Sequence, residues 1–154
     1  MPAEKLKKYL DENGVEYTEI NHPREYTAQQ VAAVSHIPGA EMAKTVMVKI
    51  KDRLAMAVLP ASFRVDFPLL REVIGTDEVE LAREHEFQNL FPDCDVGAMP
   101  PFGNLYNMDV YVAEKLTEGE MIAFNACTHT ALIRMSYKDY ARLVKPQIIR
   151  FAMT

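Results

Sequence analysis

Cysteine occurs only twice in the 154 residues, at Cys94 and Cys127, and no apolar run is long. Two unpatterned cysteines exclude a disulfide scaffold, and reduced thiols in a cytoplasm are the expectation that follows. The short apolar runs exclude a membrane span, which takes roughly 18 or more uninterrupted apolar residues. The opening stretch "MPAEKLKKYLDENG" has no apolar h-region, so no secretory signal is expected. Internal repeats, low-complexity tracts and linkers are also missing. What is there is 49% hydrophobic and 25% charged, the make-up of a chain with one packed core. One domain over residues 1–154 is expected.

An excess of basic charge is the next absence. The formal net charge is −5, which argues against broad, sequence-blind binding of nucleic acid. The average conceals a split. Thr76–Glu86 carries five acids against Arg83, whereas Arg134–Arg150 carries five bases against Asp139, and Lys44–Arg53 four against Asp52. Each run alone reads as a solvated face. Two basic runs meeting in the fold would form a local anion-attracting surface, able to touch one end of a polyanion without wrapping it.

Periodicity and punctuation place the elements. "AEKLKKYLDENG" reads as a helix with Leu6, Tyr9 and Leu10 on one face and Gly14 past its end. "VEYTEI" alternates like a strand. Thr27 and Gln30 have capping-box spacing ahead of a helix that stops at Pro38-Gly39. "TVMVKI" and "RLAMAVL" are strands separated by Lys51-Asp52, a hairpin spacing without the usual Gly or Asn. Asp66 is positioned to cap "FPLLREVI", with Pro68 in the first turn and Gly75 ending it. "EVELA" is a strand and "REHEFQNLF" a helix; "NMDVYVAE", "EMIAFNA" and "HTALIRM" are strands, and Ser136 opens a last helix stopped by Pro146. The interspersed pattern predicts an α+β fold, one compact domain around a central mixed or largely antiparallel sheet flanked by helices. Strand order is not specified by this pattern.

One loop stands apart. "VGAMPPFGNLY" holds Gly97, Pro100, Pro101 and Gly103 with almost no charge. Glycine admits positive φ and close approach, and proline fixes φ, so the loop is stiff in its middle and permissive at its ends. It is either a turn packed by Phe102 and Tyr106, or a frame for main-chain N–H groups aimed where negative charge develops on a carbonyl oxygen. Lys44 opens an apolar strand, sharing a face with Val46 and Val48 by alternation. Such a lysine either snorkels to solvent or has a partner or task near the core. Asn125, Cys127 and His129 share a face if their stretch is extended.

Together these segments resemble the YbaK-type, prolyl-tRNA-synthetase-associated trans-editing family, free-standing relatives of the editing domain inserted in bacterial prolyl-tRNA synthetases. Three blocks carry the likeness: "YTAQQVAAVSHIPGAEMAKTVMVK", leading into the strand of the family's catalytic lysine, here Lys44; "GAMPPFG", matching its Gly-x-x-x-Pro loop at Gly97 and Pro101; and "FNACTHTALIRMSYKDYARLV", the final strand pair and helix. The resemblance implies an aminoacyl-tRNA deacylase that removes a small amino acid such as Ala, Ser, Thr or Cys, expected on tRNA-Pro. It implies neither a cofactor nor a metal, since an aminoacyl ester is already reactive. Lys44, Gly97 and Pro101 take the catalytic places. Tyr26, Thr45, Ala98, Met99, Pro100, Phe102, Gly103, Asn125 and His129 are the expected substrate-binding residues. Lys44 would act on the terminal phosphate or on the developing oxyanion. A prolyl-tRNA synthetase or elongation factor is the implied delivery partner, in a cytoplasmic setting without membrane.

The chain also departs from the family pattern. Asn125 stands near a serine's place, Cys127 where glycine is common, and Leu132 near an aspartate's. His129 is either a contact to the amino acid or a structural imidazole; Tyr26 is either a pocket wall or a core residue. Two other chemistries use the same stretch: Cys127 as a nucleophile with His129, and a metal held by Cys94, Asp95, Cys127 and His129, whose spacing fits no zinc pattern. The rival of another class is a non-catalytic module of the same fold that binds tRNA 3′ ends or a synthetase.

Overall fold

Asp66 and Ser136 each begin a helix with their own side chains. In the computed structural model, which describes residues 3–23, 30 and 37–154, the Asp66 carboxylate accepts from the Leu69 N–H at 3.1 Å. The Ser136 hydroxyl accepts from the Asp139 N–H at 3.4 Å. Each bond satisfies a donor that the helix itself leaves unpaired. Helix α1 spans Glu4–Glu12, α2 Phe67–Ile74, α3 Glu84–Phe87 and α4 Tyr137–Val144. Gly75 ends α2 in the left-handed region at φ 88. Lys145 ends α4 at φ 52, with Pro146 behind it. The stretch read as a helix after Arg83 is helical only to Phe87 and then tightens to a 3-10 turn over Gln88–Leu90.

The strands are β1 Tyr17–Asn21, β2 Ala43–Ile50, β3 Arg53–Pro60, β4 Arg64–Val65, β5 Val79–Leu81, β6 Asp109–Ala113, β7 Met121–Asn125, β8 Ala131–Ser136, β9 Gln147–Ile149 and β10 Ala152–Met153. The hairpin between β2 and β3 turns on Lys51 and Asp52 at φ 48 and 68, the twist that a two-residue turn demands, here without glycine. Five strands form a mixed sheet in the order β5-β2-β3-β6-β9, with β3–β6 and β6–β9 parallel. Three form an antiparallel sheet, β1-β8-β7, and β4 pairs with β10. The two larger sheets touch through an isolated parallel bridge, Met42 to Ala123. The expected α+β fold around a central mixed sheet is present, with further strands in the antiparallel sheet and the small pair.

Period-two burial decides what lies between them. Ala43 and Met47 of β2, Met56 and Val58 of β3, Val110 and Val112 of β6, Ile122 and Phe124 of β7, and Ile133 and Met135 of β8 form one apolar cluster. Val48, Ala55, Ala57 and Leu59, on the other face of β2 and β3, pack with Leu70 of α2 and Phe151. A third, smaller cluster joins Ile37, Met42, Ala123 and Leu132. The helix expected to start at Thr27 lies, apart from Gln30, mostly outside the described residues, as does Tyr26.

Candidate active site

The loop from Gly97 to Gly103 is fixed chiefly by its own main chain. Pro100 and Pro101 have no N–H to offer. The Ala98 N–H donates to the Asp95 carbonyl at 3.0 Å, and the Phe102 N–H to the Pro100 carbonyl at 2.8 Å. Among the described residues, the N–H groups of Gly97, Met99 and Gly103 have no acceptor. The amide row is therefore sparser than the sequence alone implies. Three N–H groups are left unspent by main-chain bonds, and of their residues Gly97 is exposed while Met99 and Gly103 are buried.

Packing explains why the chain is so special here. The Phe102 side chain is buried, its ring 5.6 Å from Phe124, 5.3 Å from Tyr140 and 6.4 Å from Tyr9. Tyr140 of α4, also buried, donates its hydroxyl to the Pro101 carbonyl at 2.8 Å. Gly103 has no room for a side chain, since a Cβ there would sit 2.7 Å from Val110 Cγ2 and 2.8 Å from the Met108 carbonyl oxygen. Gly97 adopts φ 86, a conformation that favours glycine. Ala98, Met99, Pro100 and Pro101 are buried as well, whereas Gly97 is exposed. Thus the loop is a packed turn, one of the two readings that its composition left open.

The turn between β7 and β8 clamps the loop. The Asp95 N–H donates to the Cys127 carbonyl at 2.8 Å, and the Cys127 N–H to the Ala98 carbonyl at 3.0 Å. His129 Nε2 lies 2.9 Å from the Val96 carbonyl oxygen. A carbonyl only accepts, so Nε2 carries the hydrogen in this bond. A Cβ on Gly97 would meet His129 Cε1 at 3.5 Å. His129 is thus committed to the loop backbone through one nitrogen. Cys94 and Cys127 are joined as a disulfide, with Cα atoms 4.1 Å apart. This corrects the expectation of reduced thiols, because residues 33 apart in sequence are brought together by these main-chain bonds. It also removes the Cys127 thiolate from the nucleophile reading in this state. Among the described residues, no group of three or more His, Cys, Asp or Glu is arranged to hold a metal ion.

Lys44 is the second residue of β2. The Met42–Ala123 bridge runs β2 parallel to β7, so Lys44 and Asn125 follow two positions on, and Asn125 leads into the clamping turn. Lys44 shares its face with Met42 of the third cluster and Val48 of the second, and its cross-strand partner is buried Leu59. Thr45 lies on the opposite face, where its partner Val58 belongs to the main cluster. Burial alone lowers the Lys44 pKa from the ordinary lysine value. Among the described residues, no carboxylate pairs with it. Three other bases of the two basic runs are matched: Lys49 lies 3.6 Å from Glu86, Arg134 2.9 Å from Glu41 and Arg142 3.4 Å from Asp139. A groove of about 890 Å³ elsewhere is lined by Asp11, Glu16, Glu19 and Asp139 with Arg134, a poor seat for a polyanion. Two features escaped the sequence reading, the Tyr140 hydroxyl and the disulfide. A tyrosine on the apolar face of a capped helix was the available signal for the first.

These elements define an α+β domain whose proline-glycine loop is held against the turn after β7, beside a lysine-bearing strand. Residues 22–143 match the model of the aminoacyl-tRNA editing domain, and the chain belongs to that family. It is 27% identical over 159 aligned residues to the multifunctional Ser/Thr-tRNA deacylase ProXp-y of Escherichia coli (strain K12), covering 98% of this chain and 93% of that protein. It is 25% identical over 120 residues to a proline–tRNA ligase of Macrococcus caseolyticus, covering 78% of this chain but 20% of the ligase. A solved structure described as a candidate trans-editing enzyme for prolyl-tRNA synthetase superposes with a TM-score of 0.83 at 17% identity, over 99% of this chain and 97% of that one. The last comparison speaks to the fold alone.

Proposed function

We propose that this chain hydrolyses the ester joining a small, wrongly attached amino acid to the 3′ end of a tRNA. Serine and threonine are the first substrates to test, alanine and cysteine the next, on tRNA-Pro and on the tRNAs of those amino acids. The observation that carries this reading is the set of unpaired loop N–H groups of Gly97, Met99 and Gly103 in a segment otherwise held by internal bonds. Donors already fixed in place need no reorganisation when charge develops on the ester carbonyl.

The reaction needs little else from the protein. Water adds to the carbonyl carbon, negative charge gathers on the carbonyl oxygen, and the ribose oxygen leaves with a proton from that water. The products are the free amino acid and the uncharged tRNA. Loop amides stabilise the oxyanion, each worth about 3 kcal/mol in the transition state. Lys44 adds a full positive charge, made stronger by its partial removal from water. Asn125 and His129 border the acyl group from the turn that clamps the loop.

Release of amino acid from preformed Ser-, Thr-, Ala- and Cys-tRNA under multiple-turnover conditions tests the proposal. Catalytic release of at least one, lost in a Lys44→Met variant that remains folded, is the expected result. Stoichiometric binding of charged tRNA without release would identify a binding module and sink the hydrolase. The net charge of −5 supports weak intrinsic affinity for tRNA, so delivery by a synthetase or elongation factor is part of this reading. Addition of prolyl-tRNA synthetase or elongation factor should raise the editing rate at low substrate concentration.

A further inference from the structure

The two cysteines of the chain stand one on each side of the contact that holds the loop. Cys94 directly precedes Asp95, whose N–H donates to the Cys127 carbonyl, and the Cys127 N–H donates in turn to Ala98. Their bond closes the segment that contains the whole loop, β6 and β7. Cys127 sits at φ 67, in the left-handed region that a glycine occupies freely and a cysteine does not. Cys94 is half-buried and Cys127 is buried, so Cys94 is the more open of the two to a solution thiol.

We propose that Cys94 and Cys127 form a reversible redox cross-link that sets how firmly the loop from Gly97 to Gly103 is held. In the bonded state the disulfide adds a covalent tie to the main-chain clamp, and the Gly97 and Met99 N–H groups keep one position. In the dithiol state the hydrogen bonds to Asp95, Ala98 and Cys127 remain, so the fold persists while the loop loosens. That division makes the bond a control on the loop rather than a support of the whole fold.

The chemistry is ordinary thiol–disulfide exchange. Oxidation consumes a small-molecule disulfide such as oxidised glutathione: two protein thiols give one protein disulfide, and the reagent leaves as two thiols. Reduction reverses this. A thiolate attacks Cys94 Sγ, Cys127 departs as a thiolate and takes a proton, and a second reagent thiol resolves the mixed disulfide. Electrons move only between sulfurs.

The test poises the full chain in reduced and oxidised glutathione mixtures, quenches with acid, counts alkylated thiols by mass and follows amide exchange in residues 95–103. A single transition between two free thiols and none is expected, with exchange at the hydrogen-bonded amides of Asp95 and Ala98 slowed about three- to tenfold in the bonded state. Cys94→Ser and Cys127→Gly variants should show the fast exchange at every ratio; the second also frees the φ 67 position from strain. Two thiols at all ratios, a stable glutathione adduct in place of the internal bond, or equal exchange in both states would each overturn the proposal. Its consequence for catalysis, a higher turnover in the bonded state, rests on the deacylase reading. Failure of both states to hydrolyse charged tRNA would remove that reading and leave the thiol count and amide exchange to decide the cross-link.

Discussion

The Tyr140 hydroxyl, buried on α4, donates to the Pro101 carbonyl across 2.8 Å. Burial first, and the neighbouring Tyr137 second, push its pKa well above the ordinary phenol value, so it remains a donor throughout the working range of pH. The bond fixes the plane of the peptide between Pro101 and Phe102, whose N–H is held by Pro100. Tyr140 is therefore a positioning residue for the loop. Tyr140→Phe keeps the ring and leaves a buried carbonyl unpaired, at about 1–3 kcal/mol of stability by chemical denaturation. If the loop amides act in the transition state, kcat on charged tRNA should fall about tenfold with KM nearly constant. Unchanged kcat in a destabilised but folded variant would reduce Tyr140 to a packing residue.

Gly103 is forced by its neighbours. An added Cβ would lie 2.7 Å from Val110 Cγ2 and 2.8 Å from the Met108 carbonyl oxygen, and the second of these is main chain and cannot rotate away. Gly103→Ala should destabilise the protein by about 1–3 kcal/mol, read as a lower urea midpoint with the slope preserved. Gly75→Ala is the control: nothing lies within 4 Å of its Cβ, so the φ 88 backbone is its remaining penalty, on the order of 1 kcal/mol. Equal losses at the two sites would refute the close-packing account.

Local chemistry was legible in the sequence wherever it acted on neighbours. Asp66 and Ser136 announce their helices because a cap needs only the next three residues. The face of β2 with Val46 and Val48 was readable from alternation, since the pleat reverses every side chain. What resisted reading depends on partners far along the chain. The parallel run of β3 with β6, the small β4–β10 pair and the division into two sheets follow from which surfaces meet, not from any local signal. The site shows the same boundary. Its loop stood out by Gly97, Pro100, Pro101 and Gly103, but the consumption of the Ala98 and Phe102 amides inside the loop needed coordinates, as did the pairing of Cys94 with Cys127.

The Arg134–Glu41 ion pair links β8 to the turn just ahead of β2 at 2.9 Å, with Glu41 mostly shielded from water. Glu41→Ala leaves a guanidinium whose Nε already lacks a partner among the described residues. The loss should be about 1–3 kcal/mol, less than for a fully buried pair because Arg134 remains partly solvated. The double variant Glu41→Ala/Arg134→Met should recover part of that loss in thermal or urea unfolding. A double variant no better than the single would show that the pair contributes little beyond its own packing.

Burial lowers the Lys44 pKa, and the consequences for stability and for activity run in opposite directions. In the folded chain Lys44 gives up its proton at a lower pH than in the unfolded chain. Between the two pKa values the unfolded state binds more protons, so stability from this group rises with pH there and is lowest below the folded value. Catalysis by the ammonium follows the other sign, since it is present below the folded pKa and is lost as pH rises through it. After subtraction of the uncatalysed ester hydrolysis, kcat/KM should therefore decline on an alkaline limb that arrives earlier than an ordinary lysine would give. Lys44→Met should reduce kcat by on the order of a hundredfold at neutral pH and abolish that limb, while being no less stable than the parent. Lys44→Arg retains a charge that does not titrate in this range, so any activity it keeps should lack the alkaline fall. A Lys44→Met variant with parental rate and parental pH profile would remove the lysine from the reaction.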